Sequence, residues 1–194
     1  MTTNGRVIRL RDLRDAEATF RNDPQNVNVP DKQWWYNQLF ARVLEDPTLM
    51  VQLDVGPQPG TKQDMDSIIP RFRWLFVVQD TGRPHPYCGL AGALAPLNTG
   101  KSRYRVPLFA SIATLPQEGG VPTEADIQTL ALAYQQLAEY LMADCGVRGV
   151  EVLALPASLH TEALVVAEFL HVAVFPAAAI NRRRVVDVHV YTKG

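Results

Sequence analysis

The chain has 194 residues, 47% of them hydrophobic, and a formal net charge of −1 at pH 7. Such a chain can fill one core, so a single domain is predicted over residues 1–194. Its near neutrality gives no general attraction to nucleic acid or membranes, and neither is expected as a partner. Two cysteines do not make a disulfide scaffold. No segment approaches the ~20 apolar residues that cross a bilayer, which predicts a soluble, intracellular, cytoplasmic protein.

The first half of the chain predicts two helices and three strands. A short strand is predicted at Val7 to Leu10, followed by a weakly patterned helix after Leu13. A helix is predicted from Asp31 to Leu44, where large apolar residues recur at helical spacing. Phe72 to Gln79 and Tyr87 to Leu94 flank a glycine-containing turn, which predicts a hairpin.

The second half begins with a strand and a long helix. Leu108 to Leu115 is a nearly unbroken apolar run closed by Pro116, a pattern typical of a strand covered on both faces. Thr123, with Asp126 three residues later, resembles a capping box. Apolar residues then recur every three or four positions up to Leu141, which predicts a helix of about five turns.

Two further strands and a shorter helix follow. Val150 to Leu155 predicts a second buried strand, stopped by Pro156 and parallel to the first. A shorter helix is predicted from about Thr161 to His171. Arg184 to Tyr191 alternates between apolar and polar residues, which predicts the second strand of a closing antiparallel pair, with one wetter face.

This order of elements, β-α-α-β-β-β-α-β-α-β-β, resembles the GNAT acyltransferase superfamily over nearly all of the chain. The resemblance implies an α/β (α+β) fold with a mixed, mostly antiparallel sheet of about six or seven strands and about four helices on its faces. It also implies acetyl-CoA as cofactor and a small amine or a protein amine as acceptor. Four segments carry the resemblance, namely Val7-Ile8-Arg9-Leu10-Arg11-Asp12, Tyr87-Cys88-Gly89-Leu90-Ala91, Leu115-Pro116 and Val185-Val186-Asp187-Val188-His189-Val190-Tyr191.

GNAT proteins hold the pyrophosphate of acetyl-CoA in a loop and helix N-terminus, where unpaired backbone amides and the helix dipole stabilise phosphate. The family pattern is glutamine or arginine, two residues, glycine, one residue, then glycine or alanine. Gln117-Glu118-Gly119-Gly120-Val121-Pro122 matches the glutamine and the first glycine. The resemblance therefore implies that the cofactor is held by Thr114, Leu115, Gln117, Gly119 and Gly120.

The same loop departs from the family pattern. Pro122 occupies the last position and has no amide to donate. Glu118, Glu124 and Asp126 place negative charge at the helix start, which stabilises the helix but repels an anionic ligand. The alternative is a merely structural glycine-rich connection.

The residues that catalyse acyl transfer in the family are missing. The tyrosine that protonates the departing thiolate falls on Ala167, and Leu108 to Leu115 contains no carboxylate base. Asp187, His189 and Tyr191 share one strand face, so they form either a proton relay in a wet cleft or an ordinary solvent face. Neighbouring members of the set are about 6.5 Å apart, too far to form a direct hydrogen bond. The catalytic residues stay unassigned.

No metal site is expected, because no histidine has a second ligand at metal-binding spacing. Long loops are predicted at about residues 54–70 and 98–105.

Three large aromatic residues, Trp34-Trp35-Tyr36, are adjacent on the first predicted helical layer and span too wide an arc for one helix face to bury all of them. An exposed member of the three would bind a partner or an acceptor substrate. The alternative is that they only pack in the core. The basic run Arg182-Arg183-Arg184 is expected at a solvated hairpin tip.

Two hypotheses from different classes follow. In the first, the protein is an acyl-CoA-dependent N-acyltransferase that transfers an acetyl group directly to an amine. In the second, the fold is a non-catalytic scaffold for binding or assembly, with a protein partner or a homo-oligomer as its contact. Degenerate GNAT-like proteins are also encoded by tailed bacteriophages, so a virion or phage-accessory role belongs to the second hypothesis by analogy.

Overall fold

A computed structural model describes residues 8–12, 72–80, 87–94, 106–112, 123–145, 147–181 and 183–194, with side chains in the last three ranges. The predicted helices before Phe72, the two long loops and Trp34-Trp35-Tyr36 lie outside the described residues. In chain order the described elements are β1 (Ile8–Asp12), β2 (Phe72–Asp80), β3 (Tyr87–Leu94), β4 (Val106–Ile112), α1 (Glu124–Ala143), β5 (Val150–Ala154), α2 (Leu159–Val166), β6 (Leu170–Asn181) and β7 (Arg184–Lys193).

The described strands form one sheet in the order β1-β2-β3-β4-β5-β7-β6. Every neighbouring pair is antiparallel except β4 and β5, which are parallel. The predicted β2–β3 hairpin, the parallel pair and the closing β6–β7 pair are confirmed. The mixed α/β class is therefore confirmed, whereas the predicted number of helices depends on segments outside the described residues.

The parallel strands β4 and β5 pair over only two residues each. Val106 lies opposite Val150 and Pro107 opposite Glu151, and the register between β4 and β5 ends there. Beyond this point β4 continues to pair with β3 as far as Ile112. On the other side, all five residues of β5 pair with β7. The sheet therefore divides between β4 and β5 towards their carboxyl ends.

Helix α1 begins at the predicted capping box. The Asp126 carboxylate accepts hydrogen bonds from the backbone N–H and the hydroxyl of Thr123, both at 2.8 Å. Asp126 is itself buried. This cap satisfies groups at the helix start that have no partner within the helix, so the predicted N-terminus is confirmed.

The helices cover one face of the sheet. Their core contains Leu130, Leu137 and Leu141 of α1, together with Val152 of β5 and Tyr191 of β7. A second cluster of buried residues contains Leu153, Ala179, Val188 and Val190. Because neighbouring residues of β5 and β7 fall into different clusters, the second cluster lies on the opposite face of the sheet.

The predicted solvent exposure of the final strand is wrong at Tyr191. Tyr191 was placed on the wetter face of the final strand, but it is 5% exposed. The side chain packs with the core residues of α1 and α2. Alternation correctly put Asp187, His189 and Tyr191 on one face, but it cannot reveal that helices cover part of that face.

The shorter helix predicted from about Thr161 to His171 ends earlier than expected. It was predicted to reach His171, whereas α2 ends at Val166 and β6 begins at Leu170. Glu168 adopts a left-handed conformation, with φ 62°. The Phe169 N–H then donates to the Leu164 carbonyl at 2.9 Å, which closes the helix end.

Glycine at position 168 should stabilise the protein. The left-handed conformation costs a residue with a Cβ roughly 1–2 kcal/mol, and glycine avoids that cost. We expect Glu168→Gly to raise the free energy of unfolding by up to about 1 kcal/mol, less than the full cost because glycine also increases the entropy of the unfolded chain. Urea unfolding measures the change. Glu162→Gly, inside α2, should instead destabilise by about 1 kcal/mol; a stabilised Glu162→Gly or a destabilised Glu168→Gly would contradict this explanation.

Candidate functional site

The candidate site is the division of the sheet between β4 and β5. Past Pro107 and Glu151, the facing edges of these strands have no register with one another. Edge N–H and C=O groups that lack a strand partner can bond an extended ligand that contains amides, in the way a peptide adds to a sheet. The sheet thus provides a slot for a narrow extended molecule.

Along the chain, a helix follows each of the two strands that border this slot. Helix α1 follows the carboxyl end of β4 in the chain, and α2 follows the carboxyl end of β5. The connection after β5 is fixed by hydroxyl groups: Ser158 Oγ and Thr161 Oγ1 donate to the Leu155 carbonyl at 2.7 and 2.6 Å. Ser158 also caps α2 by accepting from the Thr161 N–H. The start of α2 is therefore held to the end of β5.

Two described acids stand at the start of α1. The Asp126 carboxylate is buried and accepts two hydrogen bonds from Thr123. Glu124 is exposed. Hydrogen bonds from neutral groups orient the Asp126 carboxylate but do not remove its charge, so an anionic ligand at this helix start would meet repulsion from both acids.

A partly buried hydrogen bond joins the two helices. The Tyr134 hydroxyl of α1 and Nδ1 of His160 in α2 lie 2.7 Å apart, and the histidine tautomer sets which of them donates. Tyr134 is 1% exposed. Its ring also meets the Phe169 ring edge to face, with 6.0 Å between centroids. This pair fixes the first turn of α2, next to the end of β5, against the middle of α1.

The last turn of α2 offers no proton donor. Ala167, the predicted position of the family tyrosine, is buried at the helix end. Its carbonyl accepts a hydrogen bond from Lys193 Nζ at 2.6 Å, and this ammonium lies 5.6 Å from the centre of the Phe169 ring. The residues just before Ala167, namely Leu164, Val165 and Val166, are apolar. The missing tyrosine is therefore not replaced within this turn.

The predicted relay residues are not connected to one another. Within the described part of the chain, no hydrogen bond joins Asp187, His189 and Tyr191; Asp187 instead accepts from the Ala177 N–H at 2.9 Å. The His189 ring stacks on His171, with centroids 4.9 Å apart, and His171 lies 5.1 Å from the Tyr191 ring. The sequence missed His171 as a member of this group, because only the pairing of β6 with β7 brings it there.

Comparison with known structures identifies the fold. No protein-family model and no curated protein matches the chain. Spermidine N-acetyltransferase from Vibrio cholerae, solved in complex with CoA and spermine, is 14% identical, with a TM-score of 0.56 over 96% of this chain and 94% of that one. A probable acetyltransferase of the GNAT family from Chromobacterium violaceum is 15% identical, with a TM-score of 0.54 over 96% and 82%. The chain has the GNAT fold.

A third structure agrees with this assignment. Ribosomal-protein-S5-alanine acetyltransferase from Vibrio fischeri is 12% identical, with a TM-score of 0.52 over 100% of this chain and 94% of that one. At such identities the likeness establishes the fold alone. The predicted resemblance to the GNAT superfamily is thus confirmed at the level of architecture.

The residues predicted to bind a cofactor or a partner are not tested by this GNAT-fold structure. Thr114, Leu115, Gln117, Gly119 and Gly120 lie between β4 and α1, outside the described residues, as do Trp34, Trp35 and Tyr36. These assignments stay predictions. Among the described residues, no group of three or more histidine, cysteine, aspartate or glutamate side chains could hold a metal ion. No helix in the described ranges is long and apolar enough to cross a membrane.

Proposed function

We propose that this protein is an acyl-CoA-dependent N-acyltransferase that transfers an acetyl group directly to an amine. The observation that carries the proposal is the parting of β4 from β5 after two residue pairs, with a helix beginning after each strand. A slot between strand edges suits the pantetheine arm of acetyl-CoA, which is narrow and contains two amides. Structures with this fold that act as acetyltransferases support the same interpretation.

The proposed cofactor site runs from this slot to the start of α1. Thr114 and Leu115 would continue the β4 edge along the pantetheine arm. Gln117, Gly119 and Gly120 would place backbone amides around the pyrophosphate, where the positive end of the α1 dipole also acts.

The chemistry proposed is transfer without a covalent enzyme intermediate. The amine nitrogen forms a bond to the acetyl carbon, the thioester C–S bond breaks, and the proton lost by the amine neutralises the departing thiolate. No donor stands in the last turn of α2, so the rate would come mainly from holding the amine and the thioester in line. The acceptor is proposed to be an amine, either a small amine or a protein amine, because one named structure is a spermidine N-acetyltransferase and another a ribosomal-protein-S5-alanine acetyltransferase.

The alternative, a non-catalytic scaffold, has no observation in its favour among the described residues. A phage role has none either. We therefore carry the acyltransferase forward as the single proposed function.

Isothermal titration with acetyl-CoA tests the proposal. We expect saturable binding with a dissociation constant below about 1 mM, equivalent to roughly −4 kcal/mol. Gly120→Glu places a side chain and a negative charge against the pyrophosphate, and should weaken binding by at least about tenfold, or 1.4 kcal/mol. The matched control is Gln128→Glu, which adds the same charge at an exposed position of α1 and should bind like the unaltered protein.

Turnover is measured separately, as thiol release with an amine panel. The panel contains spermine and an alanine-terminated peptide, which represent the two acceptor classes. Absence of saturable acetyl-CoA binding, or a Gly120→Glu variant that binds as tightly as the control, would contradict the proposed site. Binding without thiol release from any amine in the panel would contradict the proposed reaction.

A further inference from the structure

Glu151 lies where the slot between β4 and β5 begins. It is the last residue of β5 that pairs with β4, and its partner there is Pro107. On its other side Glu151 pairs with Thr192 of β7. Proline has no N–H to donate, so β4 offers one hydrogen-bond donor fewer at the point where the strands part. We call this point, defined by Pro107 and Glu151, the closed end of the slot.

The Glu151 side chain lies on the face of the sheet opposite α1 and α2. Its neighbours Val150 and Val152 are buried in the core that contains residues of these helices. Successive side chains of a strand point to opposite faces. Leu153, two residues after Glu151, accordingly belongs to the second cluster, on the other face. The carboxylate and the two helices are therefore on opposite sides of the sheet.

No described group of the protein occupies the Glu151 carboxylate. In the part of the chain whose side chains the structure describes, it takes part in no hydrogen bond and no ion pair. Its neighbours on this face are Pro107 of β4, Thr192 of β7 and Leu153 of β5, none of which carries a charge. The side chain is partly buried. A partly desolvated carboxylate without a counter-charge attracts a cationic ligand more strongly than a carboxylate in bulk water does.

The thioester of acetyl-CoA is expected at the same end of the slot. In the proposed cofactor site the pyrophosphate lies at the start of α1, which follows the carboxyl end of β4 in the chain. The pantetheine arm then runs back along β4 towards Pro107. Its thioester is at the end farther from the pyrophosphate, and so towards Glu151.

We propose that Glu151 binds the ammonium of the acceptor and takes its first proton. The role rests on the proposed acyltransferase function and narrows the acceptor to an aliphatic amine, because aliphatic amines are mostly protonated near neutral pH. A protonated amine has no lone pair with which to attack the acetyl carbon. Transfer of one proton to the carboxylate frees that lone pair, and this proton then passes to water. A second proton leaves the nitrogen as the N–C bond forms, and it neutralises the departing thiolate.

Three variants separate this role from a structural one. Glu151→Gln keeps the shape and removes the charge, and should lower kcat/KM about 100-fold, the low end for a positioned base. The acceptor is spermine or the alanine-terminated peptide, whichever the unaltered protein acetylates faster. Glu151→Asp keeps the charge and should recover about tenfold of that loss. The control Glu139→Gln removes the same charge at an exposed position of α1 and should act like the unaltered protein. Acetyl-CoA affinity should be the same in all three.

Amine binding is measured without turnover. With CoA in place of acetyl-CoA there is no acetyl group to transfer, so isothermal titration gives the dissociation constant of the same amine directly. We expect Glu151→Gln to raise this constant by at least about tenfold, or 1.4 kcal/mol, because the ammonium loses its counter-charge. Glu139→Gln should leave it unchanged.

A pH series tests the proton transfer. Between pH 7 and pH 9 a growing fraction of the amine is neutral in solution and needs no base, so the loss in Glu151→Gln should shrink as the pH rises. A purely structural defect would not be relieved in this way. Circular dichroism and urea unfolding confirm that the variants fold.

The outcomes distinguish this role from the proposed function. A Glu151→Gln variant that turns over or binds the amine like Glu139→Gln would overturn the role and leave the acyltransferase in place. A loss of equal size at pH 7 and pH 9, or an equal loss of acetyl-CoA affinity, would also overturn it. An unaltered protein that binds no acetyl-CoA, or releases no thiol, would overturn the proposed function and this role with it.

Discussion

Replacement of Leu137 by alanine is expected to lower the free energy of unfolding by about 2–5 kcal/mol. Leu137 is fully buried in the core between α1, α2 and the sheet. The substitution removes three carbon atoms and leaves a cavity that the surrounding helices can fill only in part. A domain is stable by only about 5–15 kcal/mol, so this single change would remove a large part of that stability.

Urea and thermal unfolding measure this effect. The expected loss corresponds to a fall of about 4–20 °C in the melting temperature of a chain of this length. Leu137→Met keeps the volume and should cost less than about 1.5 kcal/mol. Gln128→Ala, at an exposed position of the same helix, should change stability by no more than about 0.5 kcal/mol. A loss at Leu137→Ala no larger than at Gln128→Ala would contradict the described core.

The elements that the sequence predicted best are those with local signals. The start of α1 depends on Thr123 and Asp126, three residues apart, and the structure has that capping box, in which the Asp126 carboxylate accepts from the Thr123 N–H. The helix itself follows from apolar spacing between Ile127 and Leu141. Both signals act within a few residues, so tertiary packing did not need to be known. The parallel order of β4 and β5 followed from the long helix between them.

The end of α2 could not be predicted by the same reasoning. Apolar residues continue at Leu164, Val165 and Ala167, so the pattern extends the helix. The chain instead turns at Glu168 in a left-handed conformation, and glutamate gives no sign of that preference. One interaction at this turn comes from the far end of the chain, where Lys193 donates to the Ala167 carbonyl. A contact over 26 residues leaves no local pattern.

The candidate site shows the same contrast between features that the sequence predicts and features that depend on tertiary packing. The parallel pairing of β4 with β5 was predicted from the sequence, whereas their parting after two residue pairs and the roles of individual side chains depend on the tertiary fold. His189 was placed on one strand face with Asp187 and Tyr191, as part of either a proton relay or an ordinary solvent face, but it stacks on His171 from another strand. Tyr134 was predicted only as one of the apolar residues along α1. Its hydrogen bond to His160 could not be read from spacing, because helix packing creates it.

The Tyr134–His160 pair leads to the second large expected effect. Tyr134→Phe removes the hydroxyl that bonds His160 Nδ1 at 2.7 Å, and retains the ring that packs against Phe169. His160 is only partly buried and has a further interaction, so the substitution removes the net contribution of one hydrogen bond, about 0.5–1.5 kcal/mol. Tyr140→Phe is the matched control: that tyrosine, on the same helix, is 40% exposed, so water can replace any contact that its hydroxyl makes, and the change in stability should stay within about 0.5 kcal/mol.

A double-mutant cycle with His160→Ala isolates the bond from other contacts of the two residues. We expect a coupling energy of about 0.5–3 kcal/mol in urea unfolding, whereas Tyr140→Phe with His160→Ala should be additive. Acetyl-CoA affinity should be retained in Tyr134→Phe, since the bond joins α1 to α2 and the proposed phosphate contacts lie at the start of α1. Additive losses at Tyr134 and His160 would contradict the bond. Turnover reduced far beyond the stability loss, with affinity unchanged, would instead place His160 at the reacting atoms and give this fold the proton-handling group that its last helical turn lacks.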